Sequence, residues 1–186
     1  VRIAESALEE AREFLQQTFG EEFLPPEPRR FKVKSGAQDA HEAIRPTSVF
    51  RTPEKLAPYL NSDQRKLYTL IWRRFLASQM KEAVMDHTGV DIEAKDFLFR
   101  ANGSVVKFPG FLVMYEEKRE EIALPPLEEG EVLELIELIP SQHFTQPPPR
   151  YSEASLVKAL EQKGIGRPST YAVIIQTLLD RHYVVR

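Results

Sequence analysis

Residues 164–184 read GIGRPSTYAVIIQTLLDRHYV. Two glycines flank an isoleucine, an arginine and a proline follow, then two hydroxyl residues, and only then an amphipathic run. Pro168 has the fixed φ that suits a first helical position. A helix is therefore predicted to start there, with the amides of Ser169, Thr170 and Tyr171 open in its first turn. Those amides, the positive end of the helix dipole, two hydroxyls and the Arg167 guanidinium converge on one place, a set of donors that suits a phosphate. A plain Gly-x-Gly connector, with hydroxyls that only cap the helix, fits the same spacing. Tyr171, Ile174, Ile175 and Leu178 recur on one face and are expected inward, with Gln176, Asp180 and Arg181 outward. Residues from His182 onward begin as a strand would. Helix, glycine turn, helix and strand make a helix-turn-helix shape with the start of a wing.

Working toward the amino terminus, SEASLVKALEQKG (152–164) predicts the preceding helix, capped by Ser152, with Glu153 in its first turn and Gly164 as its left-handed stop. Between about 84 and 139 the period becomes two. Val90, Ile92 and Ala94 alternate with Asp91, Glu93 and Lys95, as in a half-buried strand. FLFRANGSVVKF (97–108) predicts a hairpin turning at Asn102-Gly103, between two apolar strands. PGFLVMY (109–115) fits a strand or one helical turn, and EVLELIELI (131–139) is expected as a strand although its glutamates recur every third residue. Upstream, NSDQRKLYTLIWRRFLASQM (61–80) predicts a well-buried helix capped by Ser62, with Leu67, Leu70, Ile71, Trp72, Phe75 and Leu76 on its apolar face. Thr52 and Pro53 predict a short helix ending near Leu60. Residues 1–19 predict an amphipathic helix ended by Gly20, with Glu9, Glu10 and Glu13 on its wet side. The fold class is α+β: helical segments flanking a mainly antiparallel β arm, with a helix-turn-helix-like part at the carboxyl end.

Composition narrows the chemistry. The 186 residues are 42% hydrophobic with a net charge of −3 and no cysteine, which allows a sizeable core and excludes disulfides and thiolate chemistry. The charge is segregated: residues 29–81 carry a balance of +8, residues 116–139 of −7 and residues 143–186 of +3. Nucleic-acid binding follows local potential rather than the sum, so two basic regions keep it open beside a reading of ordinary solvated faces. No stretch approaches the roughly 20 apolar residues of a membrane span. The chain starts at Val1 already in helical pattern and stops as a strand begins, so both ends are expected to be cuts through a longer protein.

The strings AHEAIRPTSV (40–49), KLYTLIWRRFLASQM (66–80), QHFTQPPPRYSEASLVKALEQKGIGRPSTYA (142–172) and IIQTLLDRHYV (174–184) together resemble the central region of bacterial DNA topoisomerase I, a type IA enzyme. The resemblance implies an ATP-independent isomerase that relaxes negatively supercoiled DNA. A tyrosine attacks a backbone phosphate of a single strand, the other strand passes, and the break is resealed, one ester being exchanged for another. It implies Mg2+ held by a Toprim domain, and a cytoplasmic, nucleoid-associated parent enzyme whose other domains are partners of this chain, with no membrane partner. The motif that carries the nucleophile, like Tyr-Met-Arg-Thr-Asp-Ser, is not in this sequence, nor are the Toprim acids. The chain alone is therefore expected to bind single-stranded DNA at most and not to cleave it.

By the same resemblance His41 assists cleavage beside the active site, although a lone histidine elsewhere is usually a packing residue. Arg45 either anchors its loop or touches phosphate. Arg167, Ser169, Thr170 and Arg181 match positions of the single-strand groove. Tyr171 stacks on a base or packs in the core, and Lys158 is a weaker candidate. No histidine has metal-ligand spacing, so no metal site is expected here. The resemblance also implies three regions: 1–81 beside the nucleophile, 82–149 in an arching arm, and 150–186 in a single-strand-binding part. The competing expectation is a stand-alone winged-helix-like DNA-binding module with no catalytic parent.

Overall fold

The computed structural model describes residues 2–31, 42–115 and 121–185. It is α+β, with five α-helices and one two-stranded antiparallel sheet among the described residues. The chain forms two compact units, Val1–Glu131 and Val132–Arg186.

In the first unit, α1 (Glu5–Phe19) buries Ala7, Leu8, Ala11, Phe14 and Leu15. These fall at helical spacing, which makes one continuous apolar stripe. The short α2 (Pro53–Leu56) starts as expected: Thr52 Oγ1 accepts from Lys55 N, and Pro53 occupies the first turn. α3 (Ser62–Ser78) is capped by Asn61 rather than Ser62, in a reciprocal capping box with Gln64. Asn61 wins because its side chain reaches the Gln64 amide while the Gln64 side chain reaches back to the Asn61 N–H. Only the carboxyl-terminal end of α3 enters the core, through Phe75, Leu76 and Ala77. Leu67 and Leu70, expected inward, are 59% and 60% exposed.

Leu15, Leu76, Met80 and Val49 are fully buried and form the centre of the core. Phe14 meets Phe50 and Trp72 edge-on, with ring centroids 5.5 and 5.6 Å apart. This arrangement is favourable beyond the area it buries. The buried Gln79 accepts from Arg29 N at 3.2 Å and donates to Arg29 O at 3.4 Å, so it pins the proline-rich stretch to the end of α3.

The hairpin is where expectation and structure part. β1 (Val84–Ala94) and β2 (Phe97–Phe108) pair antiparallel, with Ala94 opposite Phe97. The turn is Lys95-Asp96, with Lys95 at φ 55°, not Asn102-Gly103. Asn102 and Gly103 lie within β2, opposite Gly89 and Thr88. Two forces explain the choice. Asp91 and Arg100 become direct partners, with Arg100 Nε and Nη2 donating to the carboxylate at 2.6 and 2.8 Å. Gly103 is needed for close approach instead of for a turn: Ser104 and Ile122 exchange backbone hydrogen bonds at 2.8 and 3.1 Å, and a Cβ on Gly103 would lie 2.8 Å from Ile122 O. Residues 109–115 resolve to the helical alternative, a 3-10 turn over Gly110–Met114.

In the second unit, the strand expected at 131–139 does not form. These residues have no regular structure, and Val132 and Ile136 are 93% and 95% exposed. A strand needs neighbours for its N–H and C=O groups; none is paired with this segment among the described residues. α4 (Glu153–Gln162) is capped by Ser152 in a box with Ser155. Gly164, at φ 68°, ends it: Ile165 N donates to Leu160 O and Gly164 N to Glu161 O. Those two bonds are a Schellman motif, which satisfies the last carbonyls of the helix. α5 (Tyr171–Asp180) follows after one further turn. Its own end repeats the motif, with His182 at φ 54°, His182 N donating to Leu179 O and Tyr183 N to Leu178 O. The strand expected from His182 is therefore replaced, over the described residues, by a helix stop.

Candidate nucleic-acid interface

Two stretches carry the expected site residues, one in each unit. The first is the turn between α4 and α5. Gly166 takes φ 76°, and a Cβ there would sit 2.9 Å from Ile174 Cδ1 and 3.2 Å from Tyr171 Cε1. Glycine is thus required twice over, by the backbone angle and by the side chains of α5 lying against it. α5 begins at Tyr171, not at Pro168, because Pro168–Thr170 form a tighter turn first. Thr170 N and Tyr171 N both donate to Arg167 O, at 2.8 and 3.2 Å, and Arg167 N donates to Thr170 Oγ1 at 2.9 Å.

This corrects the expected row of open amides. Two of the three are occupied by the carbonyl of Arg167, and the Thr170 hydroxyl is turned onto the same backbone, donating to Arg167 O at 3.0 Å. What the turn presents outward is the exposed side chains of Arg167 and Ser169. The Arg167 guanidinium gives one bond to Gly166 O at 3.1 Å, through Nη1. Tyr171 is half-buried, its ring lying against Gly166. Arg181 is exposed at the other end of α5, about 15 Å of helix from Tyr171. Lys158 is exposed on α4. Arg167, Ser169, Thr170 and Tyr171 are therefore gathered in one turn, while Arg181 is not.

The second stretch is the loop before α2. His41 lies outside the described residues. Arg45 anchors its own loop: Nε donates to Glu42 Oε1 at 2.7 Å and Nη1 to Pro46 O at 3.1 Å. The same Glu42 oxygen accepts from Ala4 N at 3.0 Å, at the start of α1. Ala4 is the N-cap residue of α1 and has no side-chain cap of its own, so a carboxylate from a distant loop lies at the positive helix end. The Arg45 guanidinium and then the Ala4 amide hold the Glu42 carboxyl below the usual glutamate range.

Further along, Glu10 takes the loop from the other side. It accepts from Ser48 Oγ at 2.5 Å and from Val49 N at 3.2 Å. Glu10 was expected on the wet side of α1, yet it sits three residues after Ala7 and four before Phe14, at the edge of the buried stripe. That spacing is the signal that could have found it. Trp72 Nε1 donates to Val49 O at 2.9 Å and Tyr68 Oη to Arg51 O at 2.5 Å, so α3 holds the same loop. Burial raises the Tyr68 phenol above its ordinary pKa.

Among the described residues no group of three or more His, Asp or Glu side chains could hold a metal ion. Among the described residues no helix is long and apolar enough to cross a membrane.

Against this geometry, the family model described as DNA topoisomerase matches residues 1–186. Two curated relatives, each called DNA topoisomerase 1, come from Xylella fastidiosa strains Temecula1 and 9a5c. Each is 49% identical over 195 residues, covering 99% of this chain and 24% of the relative. The structure of full-length topoisomerase I from Thermotoga maritima matches with a TM-score of 0.80 at 40% identity, over 100% of this chain and 30% of that one. This chain belongs to the DNA topoisomerase family. It spans about a quarter of the length of the curated relatives it matches.

Proposed function

We propose that this chain is the DNA-handling central part of a type IA topoisomerase that relaxes negatively supercoiled DNA by transient cleavage of one strand, passage and religation. The observation that carries the reading is a family match across all 186 residues at about half identity to bacterial relatives. A stand-alone winged module is not favoured by a match of that extent. On this reading residues 1–81 sit beside the nucleophilic tyrosine, residues 82–149 belong to an arching arm, and residues 150–186 bind a single strand through a helix-turn-helix-like pair. Arg167 and Ser169 give the exposed contacts to backbone phosphate, helped by the positive end of α5. Lys158, Tyr171 and Arg181 extend the surface, with Thr170 shaping the turn. His41 assists cleavage, as the resemblance implies, and Arg45 belongs to the loop that Glu10, Glu42 and α3 hold in place. The Mg2+ of the parent enzyme is proposed, from the resemblance, to be held by the acidic residues of its Toprim domain, and no step is routed through it. The parent enzyme is proposed to act in the bacterial nucleoid.

The reading is tested with labelled single-stranded oligonucleotides. The chain is expected to bind them in a salt-sensitive way, since phosphate contacts release counterions. Arg167→Ala, in the whole enzyme, should weaken binding by about 1–3 kcal/mol, as for a charge-assisted hydrogen bond. An unchanged affinity would make Arg167 a structural residue. The chain alone should form no covalent DNA adduct, and a tyrosine-linked product would overturn the proposed location of the nucleophile.

A further inference from the structure

A second basic surface lies wholly within the first unit and is not used by the reading above. Arg65, Lys66, Thr69 and Arg73 share one face of α3 and line an open groove. Its apolar lining comes from Ala57, Leu60, Leu70 and Tyr115. From Arg65 to Arg73 the helix rises about 12 Å, so the cations form a line rather than a point. Among the described residues, carboxylates near them include Glu54 on α2 and Asp63. Asp63 is an exposed partner of Lys66 at 3.5 Å, and Glu54 is held below its ordinary range by its own helix-start hydrogen bonds, with Arg73 and Arg65 adding to the effect.

We propose that this groove binds a segment of single-stranded nucleic acid, with backbone phosphates along Arg65, Lys66 and Arg73 and base faces against Leu60, Leu70 and Tyr115. The line of cations suits a polyanion. The apolar lining bears on the choice between polyanions: a paired duplex presents phosphates but hides its base faces, and a run of acidic side chains alone leaves Leu70 uncovered. A single strand offers both, as in grooves that combine cations with aromatic platforms. The choice of nucleic acid as occupant rests on the family reading above; the groove and its charge do not.

The test uses the whole chain and a thymidine oligonucleotide of about 12 nucleotides, within the span of single-strand sites. A photoactivated 5-iodouracil version should crosslink to Tyr115 or to a peptide within residues 57–73. Crosslinks confined to residues 150–185 would overturn the groove and leave the Arg167 turn standing. The paired variant Arg65→Ala with Lys66→Ala should lower affinity and reduce the salt slope by about 1.4, at ~0.7 for each phosphate contact on a single strand. Glu54→Gln should raise affinity, a gain that misfolding cannot produce. If the paired variant and Glu54→Gln both bind like the parent chain, the groove is not a site. If polyglutamate displaces the oligonucleotide from the groove crosslink as well as competing DNA does, the occupant is an acidic polypeptide and the proposal fails.

Discussion

The helical core of the first unit and the helix pair of the second carry similar local signals, yet they bury very differently. In the first, Leu15, Leu76, Met80 and Val49 are removed from solvent by helices and loops distant in sequence. In the second, no residue of α4 or α5 is buried. Its order rests on a capping box and two Schellman motifs. The contrast teaches that the two units satisfy helix ends alike and differ in apolar burial, which is complete at several side chains of the first and only partial along α4 and α5.

The largest expected effect is in the core. Leu76→Ala removes a fully buried side chain and should cost about 2–5 kcal/mol in urea unfolding followed by circular dichroism. Leu178→Ala, half-buried on α5, should cost less. Equal losses would erase the contrast between the units.

A smaller effect is expected at the glycine turn. Gly166→Ala should cost about 1–2 kcal/mol for the left-handed backbone alone, and more because the new Cβ meets Ile174. Gly164→Ala bears only the backbone cost, since nothing lies within 4 Å of its Cβ position. Amide hydrogen exchange in α5 should therefore speed up more for Gly166→Ala than for Gly164→Ala. The reverse order would show that side-chain contact does not hold the turn.

The smallest is at Glu42, which joins two parts of the first unit through the surface. Its folded pKa lies below the unfolded value, so its contribution is present above the ordinary carboxylate range and is lost as pH falls through the folded pKa. The melting temperature of Glu42→Gln should lie below that of the parent chain at neutral pH, and the two should converge in acid. A gap that persists in acid would mean that the carboxylate charge is not what ties Arg45 and Ala4 together.

These differences also explain what could be seen in the sequence. Thr52, Ser152, Gly20 and Gly164 act through neighbours a few residues away, so the ends they set were legible. The hairpin was not, because its position depends on Ile122 lying across Gly103 and on Asp91 meeting Arg100, and neither contact is local. Asn102-Gly103 has strong turn chemistry, and long-range packing overrode it. The site divides in the same way. The crowding of Arg167, Ser169, Thr170 and Tyr171 into one turn was legible from their order. The occupation of the Thr170 and Tyr171 amides was not, because it follows from the late start of α5. Glu42 as a cap for α1 was beyond reach, since 38 residues separate Glu42 from Ala4.

One contact gives the molecule its own optical gauge. Trp72 is the only tryptophan in the chain, and its indole N–H is bonded to the carbonyl of Val49. Tryptophan emission, excited beyond the tyrosine absorption band, therefore comes from the seam between α3 and the loop that begins at Glu42. A ligand or substitution that lifts that loop would expose the half-buried indole further to water and shift its spectrum to the red.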